Sequence, residues 1–148
     1  MNLAHLYSGD DGESHFRDVE VPLVETPYGG CFKLPGVIAI QIRQVAPGYT
    51  SDFHVEPRRQ LVVQLTGSGE TNCGHGERRT FGQPDLLLAD DRSGRGHTSA
   101  EVSGPRSQLV IQLDIEVNLD DWGAMTDRHE NADSDEPTPV DGYRKIDK

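Results

Sequence analysis

Three side chains that can bind a metal ion or move a proton lie within one short stretch of this chain. His54, Glu56 and Gln60 stand between the glycines that bound residues 48–67, and a fourth candidate, His97, follows much later. On a β-strand, residues two apart project from the same face, so His54 and Glu56 share a side, and Gln60 has the same parity. An imidazole, a carboxylate and a carboxamide are therefore predicted to converge on one side of a β-ribbon.

This donor set suits a divalent metal ion. Such an ion needs several lone-pair donors at about 2.0–2.3 Å, and imidazole and carboxylate groups supply them. Two histidines with one carboxylate are the set used by non-haem iron(II), and the same set holds Mn, Ni or Zn as a Lewis acid. We predict one divalent metal per chain (Fe, Mn, Ni or Zn). Its predicted ligands are His54, Glu56, Gln60 and His97, and the catalytic residues are His54, Glu56 and His97.

The same residues also allow a site without metal. Glu56 directly precedes the sequence Pro-Arg-Arg at residues 57–59, so its carboxylate can pair with an arginine, and Gln60 can hydrogen-bond across the fold. His54 and His97 would then act as general acid and base near neutral pH. A ligand-binding protein without turnover is a third interpretation, which the sequence leaves open.

The elements that must position these residues are predicted to be short strands. Apolar and polar side chains alternate in residues 36–45, with Ile38, Ile40 and Ile42 on one face. The predicted strands are residues 36–45, 61–65, 70–73, 77–81, 86–89 and 107–117, with a turn at 66–69 and a loop over 90–96 that delivers His97. Many short strands between turns, without useful helical periodicity, predict an all-β sandwich or barrel.

The stretch around His54 resembles the first motif of the cupin family, which reads Gly, five residues, His, one, His, three or four, Glu, six, Gly. This chain keeps the spacing but has Glu56 at the second histidine and Gln60 at the glutamate. The second cupin motif reads Pro, one, Gly, two, His; here Gly94 and His97 are kept and the proline is not. The resemblance covers residues 36–117, and the strings HVEPRRQ and GQPDLLLADDRSGRGH resemble small bacterial single-domain cupins, a set without a settled activity.

The resemblance implies the cupin fold, a double-stranded β-helix or jelly-roll barrel, as a single domain and a homodimer. Residues 36–118 would form the barrel. Residues 1–35 are predicted to be an irregular N-terminal arm with a short edge strand. Residues 119–148 are predicted to be an acidic, mobile tail, with Trp122 anchoring a short terminal helix or a dimer contact.

The function expected from this resemblance is that of a metal-binding enzyme for a small molecule. Lewis-acid chemistry (isomerase, lyase or cyclase) is preferred, because the carboxamide of Gln60 is a neutral and weak donor. Cupins with glutamine at this position, such as the cupin-type hydroxynitrile lyases, bind metal, although they keep both histidines of the first motif. A non-haem Fe(II) dioxygenase and a metal-free, ligand-binding cupin without turnover are the alternatives.

Four further residues are candidates for binding the substrate. Arg43 and Gln64 can point into the barrel, where an arginine would bind a carboxylate bidentately; an exposed face is the alternative for Arg43. Glu101 lies four residues after His97, where many cupins place a polar pocket residue. Tyr28 is a candidate for the pocket mouth, with packing on a sheet edge as the alternative.

Composition limits the possible partners. The chain has 148 residues, the size of one domain, and a net charge of −11. Such a surface repels nucleic-acid phosphates and anionic membranes, so neither is an expected partner. The first residues lack the basic and apolar regions of a secretory signal, and Cys31 and Cys73 form no CxxC pair. We therefore expect a reduced, cytoplasmic protein.

Overall fold

The computed structural model describes residues 1–119, and these residues form an all-β fold. The strands are β1 (Asn2–Ser8), β2 (Ser14–Glu20), β3 (Val24–Thr26), β4 (Gly29–Cys31), β5 (Val37–Val45), β6 (Gln60–Cys73), β7 (Arg78–Phe81), β8 (Leu86–Asp90) and β9 (His97–Leu113). The tail predicted over residues 119–148, with Trp122, lies outside the described residues except for its first position. Within the described part of the chain, no helix is long and apolar enough to cross a membrane.

Seven strands belong to one mixed sheet, and two form a separate hairpin. The order in the sheet is β2-β1-β8-β6-β9-β5, with β7 paired to β6 beside this path, while β3 pairs with β4. β1 runs parallel to β8, and the other pairs are antiparallel. The predicted all-β class is confirmed. Among the described strands the path ends at β2 and β5, so their pairing defines an open sheet and not a closed barrel.

Most of the strands predicted from residue 36 onward are present, with different ends. β6 continues through the predicted turn at residues 66–69 as an irregular strand, with register shifts against β9 between Gln64 and Gly69. The last strand ends at Leu113 and not at Val117. There the Asp114 N–H donates to Gly36 O, and its carboxylate accepts a hydrogen bond from the Glu116 N–H, which closes a turn.

The irregular arm predicted over residues 1–35 is wrong for its first half. β1 and β2 pair in unbroken register from Asn2 and Glu20 to Ser8 and Ser14, and β2 lies at the sheet edge. β1 is buried at four successive positions, residues 3–6, because it lies between β2 and β8. A strand buried on both faces does not alternate between apolar and polar residues, so the period-two pattern is missing here.

The core lies on both faces of the sheet. Two apolar clusters are formed, and neighbouring residues of one strand fall into different clusters, as Leu61 and Val62 do on β6 and Leu87 and Leu88 on β8. Successive side chains of a strand point to opposite faces, so each cluster marks one face. The cluster that contains Val62 and Leu87 lies on the face that carries the candidate site.

β5 lies at the opposite edge of the sheet from β2, and its apolar side chains are exposed. Ile38, Ile40 and Ile42, which were predicted to share a face, are 56%, 62% and 80% exposed. One long edge of β5 pairs with β9, and the other has no strand beside it among the described residues.

Candidate metal centre

His54 and His97 face each other across an isolated antiparallel bridge. The backbone N–H of each residue donates to the carbonyl oxygen of the other, at 3.0 and 2.9 Å, and the ring centroids are 4.5 Å apart. Gly96 permits this approach, since it has a φ of +77° and a Cβ at that position would lie 1.9 Å from His54 O. The loop that precedes β9 therefore delivers His97 to His54, as the sequence predicted.

Glu56 joins the two histidines to form a possible metal-binding triad. One ligand atom from each of His54, Glu56 and His97 lies within 4.8 Å of the other two. His97 Nε2 is 3.8 Å from Glu56 Oε1, and the Glu56 N–H donates to Asp91 O at 3.0 Å, which fixes this segment beside the 91–96 loop. The structure thus brings together three of the four predicted ligands, although the segment that carries His54 and Glu56 is not a regular strand.

Hydrogen bonds determine which nitrogen of each imidazole is free. His54 Nδ1 lies 3.0 Å from Asp52 O, and His97 Nδ1 lies 2.7 Å from Asp91 Oδ2. A carbonyl or carboxylate oxygen only accepts, so Nδ1 carries the hydrogen in both rings. In the neutral imidazoles, Nε2 then keeps its lone pair, which is the form that ligates a metal.

Asp91, which the sequence reasoning missed, anchors His97. Its side chain is fully buried, and Oδ2 accepts hydrogen bonds from His97 Nδ1 and Ser14 Oγ, both at 2.7 Å. A carboxylate behind a metal-binding histidine fixes the tautomer and the orientation of the ring. In the sequence, two adjacent aspartates, Asp90 and Asp91, follow an apolar run. This pattern does not indicate which of the two carboxylates is buried beside His97.

Gln60 contacts the triad through Glu56. Its Nε2 donates to Glu56 Oε2 at 2.6 Å, and the residue is buried. This bond holds one carboxylate oxygen and leaves the other, Oε1, facing His97. Within residues 1–119, Glu56 Oε1 lies 3.8 Å from His97 Nε2, and the carboxylate forms no ion pair with the arginines that follow it. The role of Gln60 as a metal ligand stays a prediction.

The electrostatics of the triad favour a bound cation. Burial raises the pKa of the Glu56 carboxyl; His97 opposes this shift, and Asp91 adds to it. Two imidazole lone pairs and a carboxylate are all hydrogen-bond acceptors, and acceptors that converge in a partly buried site repel one another unless a proton or a cation lies between them. The donor set of His54, Glu56 and His97 therefore fits a divalent metal ion.

The triad lies in the wall of a cavity of about 430 Å³. Two of the four predicted substrate residues line it: Gln64 is a buried residue of β6, and Arg43 is an exposed residue of β5. Their role in binding a substrate stays a prediction. Sequence reasoning missed a second arginine of the lining, the buried Arg106 of β9. The sequence predicts only a turn from the glycines at residues 67 and 69, which in the structure lie against the Arg106 side chain.

The other two substrate candidates do not line the cavity. Glu101 Oε1 accepts a hydrogen bond from the Gly48 N–H at 3.2 Å, so its carboxylate is used on the turn that precedes the site. Tyr28 lies in the turn between β3 and β4 and is 94% exposed. This hairpin is separate from the main sheet, so Tyr28 lies neither at the pocket mouth nor on a packed sheet edge.

The fold and the site define an all-β protein with a possible His-His-Glu metal-binding triad. Comparison with known proteins adds no assignment, since no family model matches the chain and no curated protein matches it. The resemblance to the cupins accordingly stays a prediction.

Proposed function

We propose that this chain is a single-domain cupin that binds one divalent metal ion and acts on a small molecule in the adjoining cavity. The triad of His54, Glu56 and His97 carries the proposal, because its ligand atoms lie within 4.8 Å of one another. The spacing of the glycines and ligand residues between positions 48 and 67 supports the cupin assignment.

Each residue of the site has a distinct role in this proposal. His54 and His97 hold the ion through Nε2, since Nδ1 of each ring is already hydrogen-bonded. Glu56 binds through Oε1, while Gln60 holds the other carboxylate oxygen in place. A metal bound there supplies Lewis-acid polarisation of a substrate oxygen. Asp91 holds the His97 ring in the orientation and tautomer that binding requires.

We favour Lewis-acid chemistry, as in an isomerase, lyase or cyclase. The cavity beside the triad presents buried hydrogen-bonding side chains on two strands, Gln64 on β6 and Gln108 on β9. Such groups can hold a polar substrate with its reacting oxygen towards the triad. A dioxygenase would instead require Fe(II) and consume O₂ with its substrate, so an oxygen-electrode measurement on the iron-loaded protein separates the two reactions.

Metal content tests the proposal directly. Protein purified without a polyhistidine tag should contain close to one metal ion per chain by mass spectrometry, and His54→Ala and His97→Ala should both lose it. His75→Ala is the matched control, because His75 lies in the β6–β7 turn, outside the cavity lining, and should retain the metal. A parent protein that binds none of Fe(II), Mn(II), Ni(II) and Zn(II) after dialysis would contradict the proposal. A histidine acid–base pair or a plain binding pocket would then remain.

A further inference from the structure

Arg106 places a buried guanidinium in the wall of the cavity, and two of its three nitrogens lack a hydrogen-bond partner within residues 1–119. The residue is 7% exposed and lines the same cavity as the triad. Its Nε and Nη1 atoms are buried, and neither has a hydrogen-bond partner among the described residues. Buried charges are normally paired, because removing a charged group from water is costly. Two unpaired guanidinium nitrogens in a cavity wall therefore favour a ligand that would complete their hydrogen bonds.

Two glycines of β6 create the space that Arg106 occupies. A Cβ on Gly69 would lie 2.4 Å from Arg106 Cζ and 2.6 Å from each of the two Nη atoms. A Cβ on Gly67 would lie 2.8 Å from Arg106 Cγ. The side chain therefore lies along the backbone of β6, and its position is built into the sequence of the neighbouring strand.

The charges around the cavity favour an anionic ligand. Two arginines, Arg43 and Arg106, line it, whereas the carboxylate in the lining belongs to Glu56 of the triad. Burial lowers the pKa of the Arg106 guanidinium, and the nearby Glu101 carboxylate opposes this shift. Within residues 1–119 the two side chains form no ion pair, and Glu101 Oε2 is buried without a hydrogen-bond partner. Its Oε1 is instead bonded to the Gly48 N–H. The cavity thus keeps positive charge in a chain whose net charge is −11.

The carboxamide oxygen of Gln64 is a second group without a hydrogen-bond partner in the described part of the chain, and it indicates a further feature of the ligand. Gln64 is 4% exposed and lines the cavity, and its Oε1 has no hydrogen-bond partner among the described residues. Gln64 pairs with Gln108 on β9, two residues from Arg106, so the carboxamide and the guanidinium lie on the same part of the wall. An unpartnered carbonyl oxygen requires a donor such as a hydroxyl group.

We infer that Arg106 binds the carboxylate of a small hydroxycarboxylate, whose hydroxyl group donates to Gln64. The planar guanidinium matches a planar carboxylate. Of the two lining arginines, Arg106 is buried and Arg43 is exposed, so the buried charge balances a monoanion and not a phosphate dianion. A cavity of about 430 Å³ lies within the size range of small-molecule sites. The inference rests on the proposed function for the reacting end of the molecule, whereas carboxylate binding itself does not require the metal.

Calorimetric titration of the full chain, stripped of metal by a chelator, tests the inference. The probes are lactate, 2-hydroxybutyrate and 3-hydroxybutyrate, with lactamide as the neutral analogue and inorganic phosphate as the competing anion. We expect the hydroxycarboxylates to bind the parent and lactamide to bind at least tenfold more weakly. Arg106→Gln should raise the Kd of the best hydroxycarboxylate at least tenfold. Arg78→Gln, at an exposed arginine of β7, should leave the Kd unchanged.

The Arg106→Lys variant distinguishes a loss of binding from a loss of folding. It keeps the positive charge and removes the planar fork, so it should bind more weakly than the parent while its thermal unfolding stays cooperative. Unchanged hydroxycarboxylate binding in folded Arg106→Gln would overturn the inference, and so would a parent that binds phosphate or lactamide as well as lactate. Metal binding without carboxylate binding defeats this inference alone. If the protein binds hydroxycarboxylates but takes up no metal ion when Fe(II), Mn(II), Ni(II) and Zn(II) are offered, only the proposed function is defeated.

Discussion

The two histidines of the triad owe their orientation to different kinds of partner. His54 is held by a backbone carbonyl, that of Asp52, whereas His97 is held by the side chain of Asp91. A substitution can remove a side chain but leaves the carbonyl in place. Substitutions of Asp52 and Asp91 can therefore be compared. Both remove a carboxylate near a histidine ring, but only substitution of Asp91 removes the group that the ring is bonded to.

Asp91→Asn should weaken metal binding, whereas Asp52→Ala should not. Loss of the Asp91 charge weakens the hold on the His97 ring, and losses of this kind lower metal affinity by roughly 10–100-fold. Competition with a chromogenic zinc chelator measures the affinity of each variant. Equal affinities for the parent and Asp91→Asn would show that this carboxylate does not position the ligand.

The close approach of His54 and His97 depends on one glycine. Gly96→Ala should lower the free energy of unfolding by about 3 kcal/mol and abolish metal binding, because a Cβ there would meet His54 O. Gly76→Ala is the matched control, since Gly76 also has a positive φ (+96°) but open space around it. Its cost should be about 1 kcal/mol, the strain of a left-handed alanine alone. Urea unfolding measures both values, and equal costs would refute the packing argument.

At the level of elements, the end of β8 is fixed by an ion pair that ties three segments together. Asp90 Oδ2 lies 2.8 Å from Arg59 Nη2, and both side chains are 9% exposed. Arg59 also donates to Val117 O, and His5 of β1 approaches the same Asp90 oxygen at 3.7 Å, which is too far for a hydrogen bond. Burial raises the pKa of Asp90, but His5, Arg59 and Arg92 outweigh it and lower that pKa to about 2.

This ion pair should make the fold sensitive to acid. The pKa of Asp90 is lower in the folded protein than its ordinary value of 3.8, so its contribution is present above pH 4 and is lost as the pH falls towards 2. The shift corresponds to about 2 kcal/mol. In urea unfolding at pH 6 and pH 2.5, the difference in stability between the parent and Asp90→Asn should narrow by about two-thirds of that amount, because pH 2.5 still lies above the folded pKa. Asp18→Asn, at an exposed ion pair with Arg79, should differ little from the parent at either pH.

Alternation of apolar and polar residues predicted strands that have one apolar and one polar face. It did not predict strands that are buried on both faces. β5 was predicted almost to its ends, whereas β1, which is buried on both faces, gives no such pattern. The spacing of His54 and Glu56 predicted that they would meet, and the loop before β9 brought His97 to them. Asp91 was not predictable, because two adjacent aspartates look equivalent until the register of β8 turns one to Arg59 and the other to His97.

For the whole molecule, β5 determines how two copies can meet. It is a free edge of nine residues with three exposed isoleucines, and such an edge invites pairing with another strand unless prolines or several charges protect it. Its sequence, VIAIQIRQV, contains no proline and no acidic residue, and its single charge is Arg43. Since the chain carries a net charge of −11, two copies repel each other least along this strand.

We therefore predict a homodimer in which β5 pairs antiparallel with β5 of a second copy. This is a two-fold interface in which the same surface is used twice. Ile40→Lys should convert the dimer to a monomer in analytical ultracentrifugation. Tyr28→Lys changes a large side chain that is even more exposed than Ile40, at 94% against 62%, on the separate β3–β4 hairpin, and it should leave the dimer intact. A parent that sediments as a monomer at micromolar concentration would refute the prediction.

The parallel pairing of β1 with β8 also fixes when the site can form during synthesis. β1 and β2 leave the ribosome before β8, yet Ala4 of β1 pairs with Leu87, and Ser14 of β2 donates a hydrogen bond to Asp91. The edge of β1 that pairs with β8 therefore stays uncovered until β8 has been made. The hydrogen bonds that join Ser14 and His97 to Asp91 also form only after that point. Contacts between distant parts of a chain form slowly. The β1–β2 hairpin thus reaches its final neighbours only after β8 has been made, and its uncovered edge is open to chaperones or to aggregation in that interval.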